Sequence, residues 1–269
     1  MDFLIEADEL RAALAGPNPP LLLDTRKPAE YAAGHLPGAV NLSSYDRFVR
    51  STRPADLALF RDEMAQAYSR AGVCAQRPVV VYEAETGMRA ARELWILDYL
   101  GHPEARMLHG GLRAWGEAGG ATTREVPPAG PTRFLPAIRD DRVISADEVL
   151  AGAASSRVLP LDVRDADEFA GRDHTACCAR RGHVPGARWM EWTEFLDPDT
   201  GRYRTASDIR ARMAARGIPA DRVFAPYCHR GARSANTYYA LRLAGFATVR
   251  NFIGSFHEWS AREELPVEA

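Results

Sequence analysis

The segment Tyr227–Ala235, YCHRGARSA, packs a cysteine, a histidine, two arginines and a glycine into nine residues. A thiol attacks only as its thiolate, and an ordinary cysteine of pKa about 8.5 is only about 3 % ionised at pH 7. Cationic neighbours and the unpaired N–H groups of a helix start can bring that pKa down to ~3.5–7.5. Arg230 and Arg233 supply the charge, and Gly231 permits a tight curl whose N–H groups face inward, an anion-binding nest. The alternative for Cys228 is a small buried hydrophobe at the end of a strand. Glycine, arginines and helix start together favour the nucleophile.

The flanking residues say what must hold this loop. RVFAPY reads as a buried strand running into Cys228, and SANTYYALRLAG as a helix beginning near Ser234 and ending at Gly245. In open parallel sheets, ligands gather at such strand ends. Loops that encircle a phosphoryl group in protein phosphatases and arsenate reductases place five residues between Cys and Arg. Four separate Cys228 from Arg233 here. The smaller ring suits a single sulfur atom better than a phosphoryl group.

The chain is a doubled unit. LLLDTRKPAEYAAGHLPGA from Leu21 is echoed by LPLDVRDADEFAG from Leu159 and GHVPGA from Gly182, with ten extra residues, Arg172–Arg181, in the second copy. Gly87, Gly101, Gly110 and Trp115 fall 144 residues before Gly231, Gly245, Gly254 and Trp259. Such a period marks two homologous domains rather than a solenoid. A stretch rich in Gly, Pro and Thr, from Gly119 to about Asp140, reads as a linker. The expected domains are therefore 1–120 and 141–269, joined by 121–140. Each alternates strands with helices, including SADEVLAG with a Ser145–Glu148 capping box and TASDIRARMAARG stopped by Gly217. The expected class is α/β, each domain a mainly parallel sheet flanked by helices.

Composition excludes other classes. The 269 residues carry 46 % hydrophobic and 26 % charged residues and a net charge of −2. No global positive field draws nucleic acid or an acidic membrane surface. No apolar run approaches the ~20 residues of a membrane span. The acid-bearing opening MDFLIEADEL is unlike a signal peptide, so a cytoplasmic setting is expected. Four cysteines are too few for a disulfide framework.

Three ordered stretches carry a resemblance across essentially the whole chain: YAAGHLPGAVNL (Tyr31–Leu42), FAPYCHRGARSA, and VRNFIGSFHEW (Val249–Trp259). The sequence resembles the tandem-domain rhodaneses, the sulfurtransferases. The resemblance implies two rhodanese-like domains, an active site in the second at the domain interface, and transfer of sulfane sulfur through a persulfide on Cys228. It implies a small anionic donor such as thiosulfate, an acceptor such as cyanide, a thiol or a protein thiol, and no metal or organic cofactor. The donor would meet His229, Arg230, Gly231, Ala232, Arg233 and Ser234, with Asp162 and Arg164 nearby. Mercaptopyruvate enzymes tend to carry uncharged Gly-Ser after the cysteine, where this chain has His229 and Arg230. Mercaptopyruvate transfer, a persulfide carrier or binding module, and a phosphatase remain the alternatives.

The chain departs from the pattern in three places. The first copy reads VYEAETGMRAA, with Glu83 at the cysteine position and a loop one residue longer, so this domain is expected to be catalytically silent. Animal rhodaneses bind the donor through an arginine six positions after the strand-end aspartate, and here that position is Glu168. The insertion holds Cys177 and Cys178 between His174 and His183. Adjacent cysteines are not the usual spacing of zinc ligands, and the open readings are a redox-sensitive lid or an acceptor for sulfur from Cys228. His35 and His183, present in both copies, read as turn residues. Asp24 and Arg26 read as a structural pair, and the repetition extends that reading in part to Asp162 and Arg164.

Overall fold

A computed structural model describes residues 3–128, 130–173 and 178–269. The chain forms two compact units, and neither is contiguous in sequence. The first comprises 1–47, 59–139 and 197–203, and the second 48–58, 140–196 and 204–269. The linker expected over 121–140 thus folds with the first unit as far as Arg139. There Thr123 pairs with His35, and the Ala137 N–H donates to Leu100 O. Two short segments, 48–58 and 197–203, cross the boundary drawn from the repeat.

In the first unit, strands β1 (Leu4–Ile5), β2 (Leu21–Asp24), β3 (Val40–Asn41), β4 (Val79–Tyr82) and β5 (Ala105–Leu108) form one parallel sheet in the order β1-β5-β4-β2-β3. Helices α1 (Ala7–Leu14), α2 (Pro28–Ala33), α3 (Pro54–Arg70, in this unit from Leu59 on), α4 (Met88–Tyr99) and α5 (Gly111–Glu117) connect them. The runs LLLD and VVVY are buried throughout, as strands covered on both faces must be.

The second unit contains α6 (Ala146–Ala154), β6 (Val158–Asp162), α7 (Ala166–Phe169), β7 (Arg188–Trp189), α8 (Ala206–Ala215), β10 (Val223–Tyr227), α9 (Ala232–Leu243) and α10 (Ser255–Ala261), while the two-stranded ribbon β8 (Leu196–Asp197) and β9 (Arg202–Tyr203) belongs, from Asp197 on, to the first unit. Its parallel core has the order β10-β6-β7. TVRNFI, a run of strand composition, contributes only parallel bridges, Val249 to Phe224 and Asn251 to Val143. These bridges repeat the strand order of the first unit. The Ser145–Glu148 capping box is present at α6, and Thr205 caps α8. Helix α9 begins at Ala232, two residues before the expected start, with Gly231 as its N-cap. Among the described residues, no helix is long and apolar enough to cross a membrane.

Candidate active site

Strand β10 delivers Cys228 to the C-terminal edge of the second sheet, and the chain turns through His229 and Arg230 into α9. Gly231 sits at φ +86°, in the left-handed region, and a Cβ there would lie 2.4 Å from Ile253 Cδ1 and 2.7 Å from Ile253 O. Only glycine fits. The curl aims the Gly231 N–H at the Cys228 sulfur, 3.2 Å away. Ser234 and Ser255 place their hydroxyls 3.9 Å from the same sulfur, and the Cys228 N–H donates to Ser255 Oγ at 3.1 Å. Cys228 is 1 % exposed. A sulfur held among an amide and two hydroxyls at a helix start is in an environment built for negative charge.

The following helix latches the loop. Its first N–H groups, which have no partner inside a helix, reach back across the chain: Phe256 N–H donates to Cys228 O and His257 N–H to His229 O. The first unit repeats this, with Leu112 and Arg113 N–H donating to Glu83 O and Ala84 O. Gly111, at φ +58°, stands where the second unit has Ser255 at φ +55°. A serine tolerates that backbone only at a cost, and here its hydroxyl bridges Cys228 N and Phe252 O. Sequence reasoning passed over Ser255, although a serine in place of the repeat's glycine is a visible signal.

The arginines divide by their partners. Arg233 forms a fork to Glu168, at 2.7 and 3.2 Å, with Asp165 at 3.4 Å. Burial opposes its charge, but attraction to the Cys228 side chain and the bond to Glu168 outweigh burial and raise its pKa. Burial likewise works against the Glu168 carboxylate, yet Arg233 holds it below its usual range. Glu168, the residue that departs from the animal pattern, therefore orients the loop's own arginine. Asp162 and Arg164, 0 % and 3 % exposed, bind each other through two oxygens, and Arg164 also reaches Gly182 O. Asp24 and Arg26 make the same pair, with Gly34 O. This geometry, present in the copy without a cysteine, supports a scaffold role for Asp162 and Arg164 rather than donor binding. Burial, then Arg230 and Arg233, push the pKa of His229 down to about 4, so its imidazole is neutral near pH 7 and adds no charge.

His35 stacks on Tyr31 at 3.7 Å, and His183 on Phe169 at 3.9 Å, as turn residues would. Cys178 is packed in the second core with Val184 and Trp259. Cys177 and His174 lie outside the described residues.

In the first unit, Glu83 occupies the corresponding loop. Its carboxylate accepts the N–H groups of Arg89 (2.7 Å) and Ala90 (2.9 Å) in the first turn of α4. Burial raises its pKa to about 7, partly offset by these two bonds. The loop is already filled by its own carboxyl side chain. A cysteine there is shorter, and its sulfur would fall short of N–H groups spaced by the longer loop. Glu83→Cys in a Cys228→Ser background is therefore expected to give no sulfur transfer in a cyanide-acceptor assay. Substantial activity from that variant would show that loop length is not what silences this unit.

Two α/β units, one bearing a cysteine loop at its sheet's C-terminal edge and one a carboxyl group in its place, define a duplicated domain whose two copies differ at this loop. A family model of the rhodanese-like domain matches residues 6–118 and again 145–262. The chain is 33 % identical over 276 residues to the thiosulfate sulfurtransferase of Azotobacter vinelandii, across 100 % of this chain and 97 % of that protein. It is 29 % identical to the sulfur carrier protein TtuD of Thermus thermophilus, across 99 % of this chain and 96 % of that protein. The anaerobic ergothioneine biosynthesis enzyme from Chlorobium limicola shares its fold, with a TM-score of 0.87 at 22 % identity over 99 % of this chain and 70 % of that one. The chain belongs to the rhodanese family, as two rhodanese-like domains in tandem.

Proposed function

We propose that Cys228 carries sulfur from thiosulfate to a thiophilic acceptor as a persulfide. The chain is a sulfurtransferase: relatives at 33 % and 31 % identity over nearly its whole length, from Azotobacter vinelandii and Corynebacterium glutamicum, are thiosulfate sulfurtransferases. They do not favour mercaptopyruvate as the donor. The observation that carries the mechanism is the Gly231 N–H held 3.2 Å from the Cys228 sulfur.

In this reading the Cys228 thiolate attacks the outer sulfur of thiosulfate. The new S–S bond forms as the old one breaks, and sulfite leaves with the electron pair. Cyanide or a thiol, small or on a protein, then attacks the terminal sulfur, takes it, and returns the thiolate. Splitting the transfer in two gives each step a good nucleophile and a good leaving group. Preorganised donors around the sulfur stabilise the charge that appears in each half. The setting proposed is the cytosol.

Incubation with thiosulfate followed by peptide mass mapping tests this reading. The peptide containing Cys228 is expected to gain the mass of one sulfur atom, removable by cyanide. A gain at any other cysteine, or none, overturns it. The carrier name of the Thermus relative makes a protein thiol a specific acceptor to try.

A further inference from the structure

Three arginines surround the cysteine loop, and Arg164 and Arg233 are already held by carboxylates. Arg230 is not. Among the described residues it has no carboxylate partner, and its Nε is shielded from solvent without a hydrogen-bond acceptor. What faces it is an aromatic ring: Arg230 Cζ lies 4.0 Å from the ring centroid of Phe48. Phe48 belongs to the first half of the chain but to the second compact unit. A guanidinium lying over a ring face is held by the ring's quadrupole, and its N–H fork stays free for an oxyanion.

The ring itself is braced. His257 crosses Phe48 edge-on, with centroids 5.2 Å apart at 89°, and the His257 N–H donates to His229 O within the loop. Next to Phe48, Val49 is buried. Thr52 anchors the segment, its N–H and hydroxyl donating to the two oxygens of Glu258 at 2.8 and 2.9 Å, while Ala146 N–H donates to Thr52 Oγ1 at 3.0 Å. Glu258 and His257 are neighbours on α10, the helix that latches the cysteine loop.

We propose that Phe48 is a positioning residue for the sulfur donor: its ring holds the Arg230 guanidinium at the rim of the Cys228 loop, oriented to meet the anionic end of thiosulfate. This rests on the reading that Cys228 takes sulfur from an anionic donor. A fixed fork suits the oxygens of a sulfonate-like group, where a free arginine would first have to be ordered. The effect therefore falls on donor capture rather than on sulfur transfer.

The test is steady-state kinetics with thiosulfate varied at saturating cyanide, on Phe48→Leu, Phe48→Tyr, Arg230→Ala and the Phe48→Leu/Arg230→Ala pair. Leucine fills the space without a π face. Phe48→Leu is expected to raise KM for thiosulfate roughly five- to thirtyfold while kcat stays within about twofold. Phe48→Tyr, which keeps the ring, is expected to hold KM near the wild-type value. Arg230→Ala is expected to raise KM at least as much, and adding Phe48→Leu to it to change KM by less than about twofold. A wild-type KM in Phe48→Leu, a fall in kcat matching the rise in KM, or a full second increment in the double variant each overturns the proposal. Persulfide mapping of each variant at saturating thiosulfate keeps the two ideas apart. Loading still found at Cys228 leaves a failed KM result to count against Phe48 alone, whereas absent loading in the wild type sinks the donor reading itself.

Discussion

Cys228→Ser is expected to reduce cyanide-dependent sulfur transfer to background, a loss on the order of the 10⁶ in kcat seen when a covalent nucleophile is deleted elsewhere. The exchange is nearly isosteric. Serine's oxygen would sit in the same buried place, facing the Gly231 N–H and the hydroxyls of Ser234 and Ser255. The fold is therefore expected to persist, with a Tm close to that of the parent, so the loss reports chemistry and not unfolding. An alcohol is far less acidic than a thiol and does not form a stable link to sulfane sulfur. Activity assayed with thiosulfate and cyanide, beside whole-chain mass after thiosulfate, gives the readout. A sulfur adduct that survives the substitution would move the chemistry to another cysteine. Cys178 and Cys228 are both buried and Cys74 is half-buried, so burial does not single Cys228 out; the Gly231 N–H and the Ser234 and Ser255 hydroxyls around its sulfur do.

The parts of this site legible in the sequence are those that are local. Cys228, Gly231 and the helix start lie within a few residues, and the repeat supplies a control copy in which Glu83 replaces the thiol. Spacing alone therefore carries the loop. The pairings are not local. Arg233 looked like a free cation for the donor, yet Glu168, from the turn after β6, takes it. Arg164 looked available beside Cys228, yet Asp162 saturates it two residues away, as Asp24 saturates Arg26. A sequence lists charges without saying which are neutralised, because that depends on long side chains meeting across loops. Phe48 gave no signal at all: its segment is assigned to the second unit against the order of the repeat.

Gly231→Ala carries the other large expected effect. At φ +86° a residue with a Cβ is strained by about 1–2 kcal/mol. In addition, the new methyl would stand 2.4 Å from Ile253 Cδ1 and 2.7 Å from Ile253 O. The side-chain tip of Ile253 can turn away, but its carbonyl belongs to the backbone running into the latch helix at Ser255. The loop must therefore shift, and the shift moves the N–H that faces the Cys228 sulfur. Removing one such preorganised donor costs about 10²–10³ in rate. Gly245→Ala is the control: its φ is +85°, and nothing lies within 4 Å of the added methyl. Both variants bear the same backbone strain, so both are expected to lose a few degrees of Tm by about the same mechanism. Only Gly231→Ala is expected to lose about 10²-fold or more in kcat/KM, with the deficit in the rate of sulfur loading onto Cys228 measured by rapid quench. Equal activities in the two variants would mean that the Gly231 N–H does not contribute to the reaction, and that the sulfur is held by Ser234 and Ser255 instead.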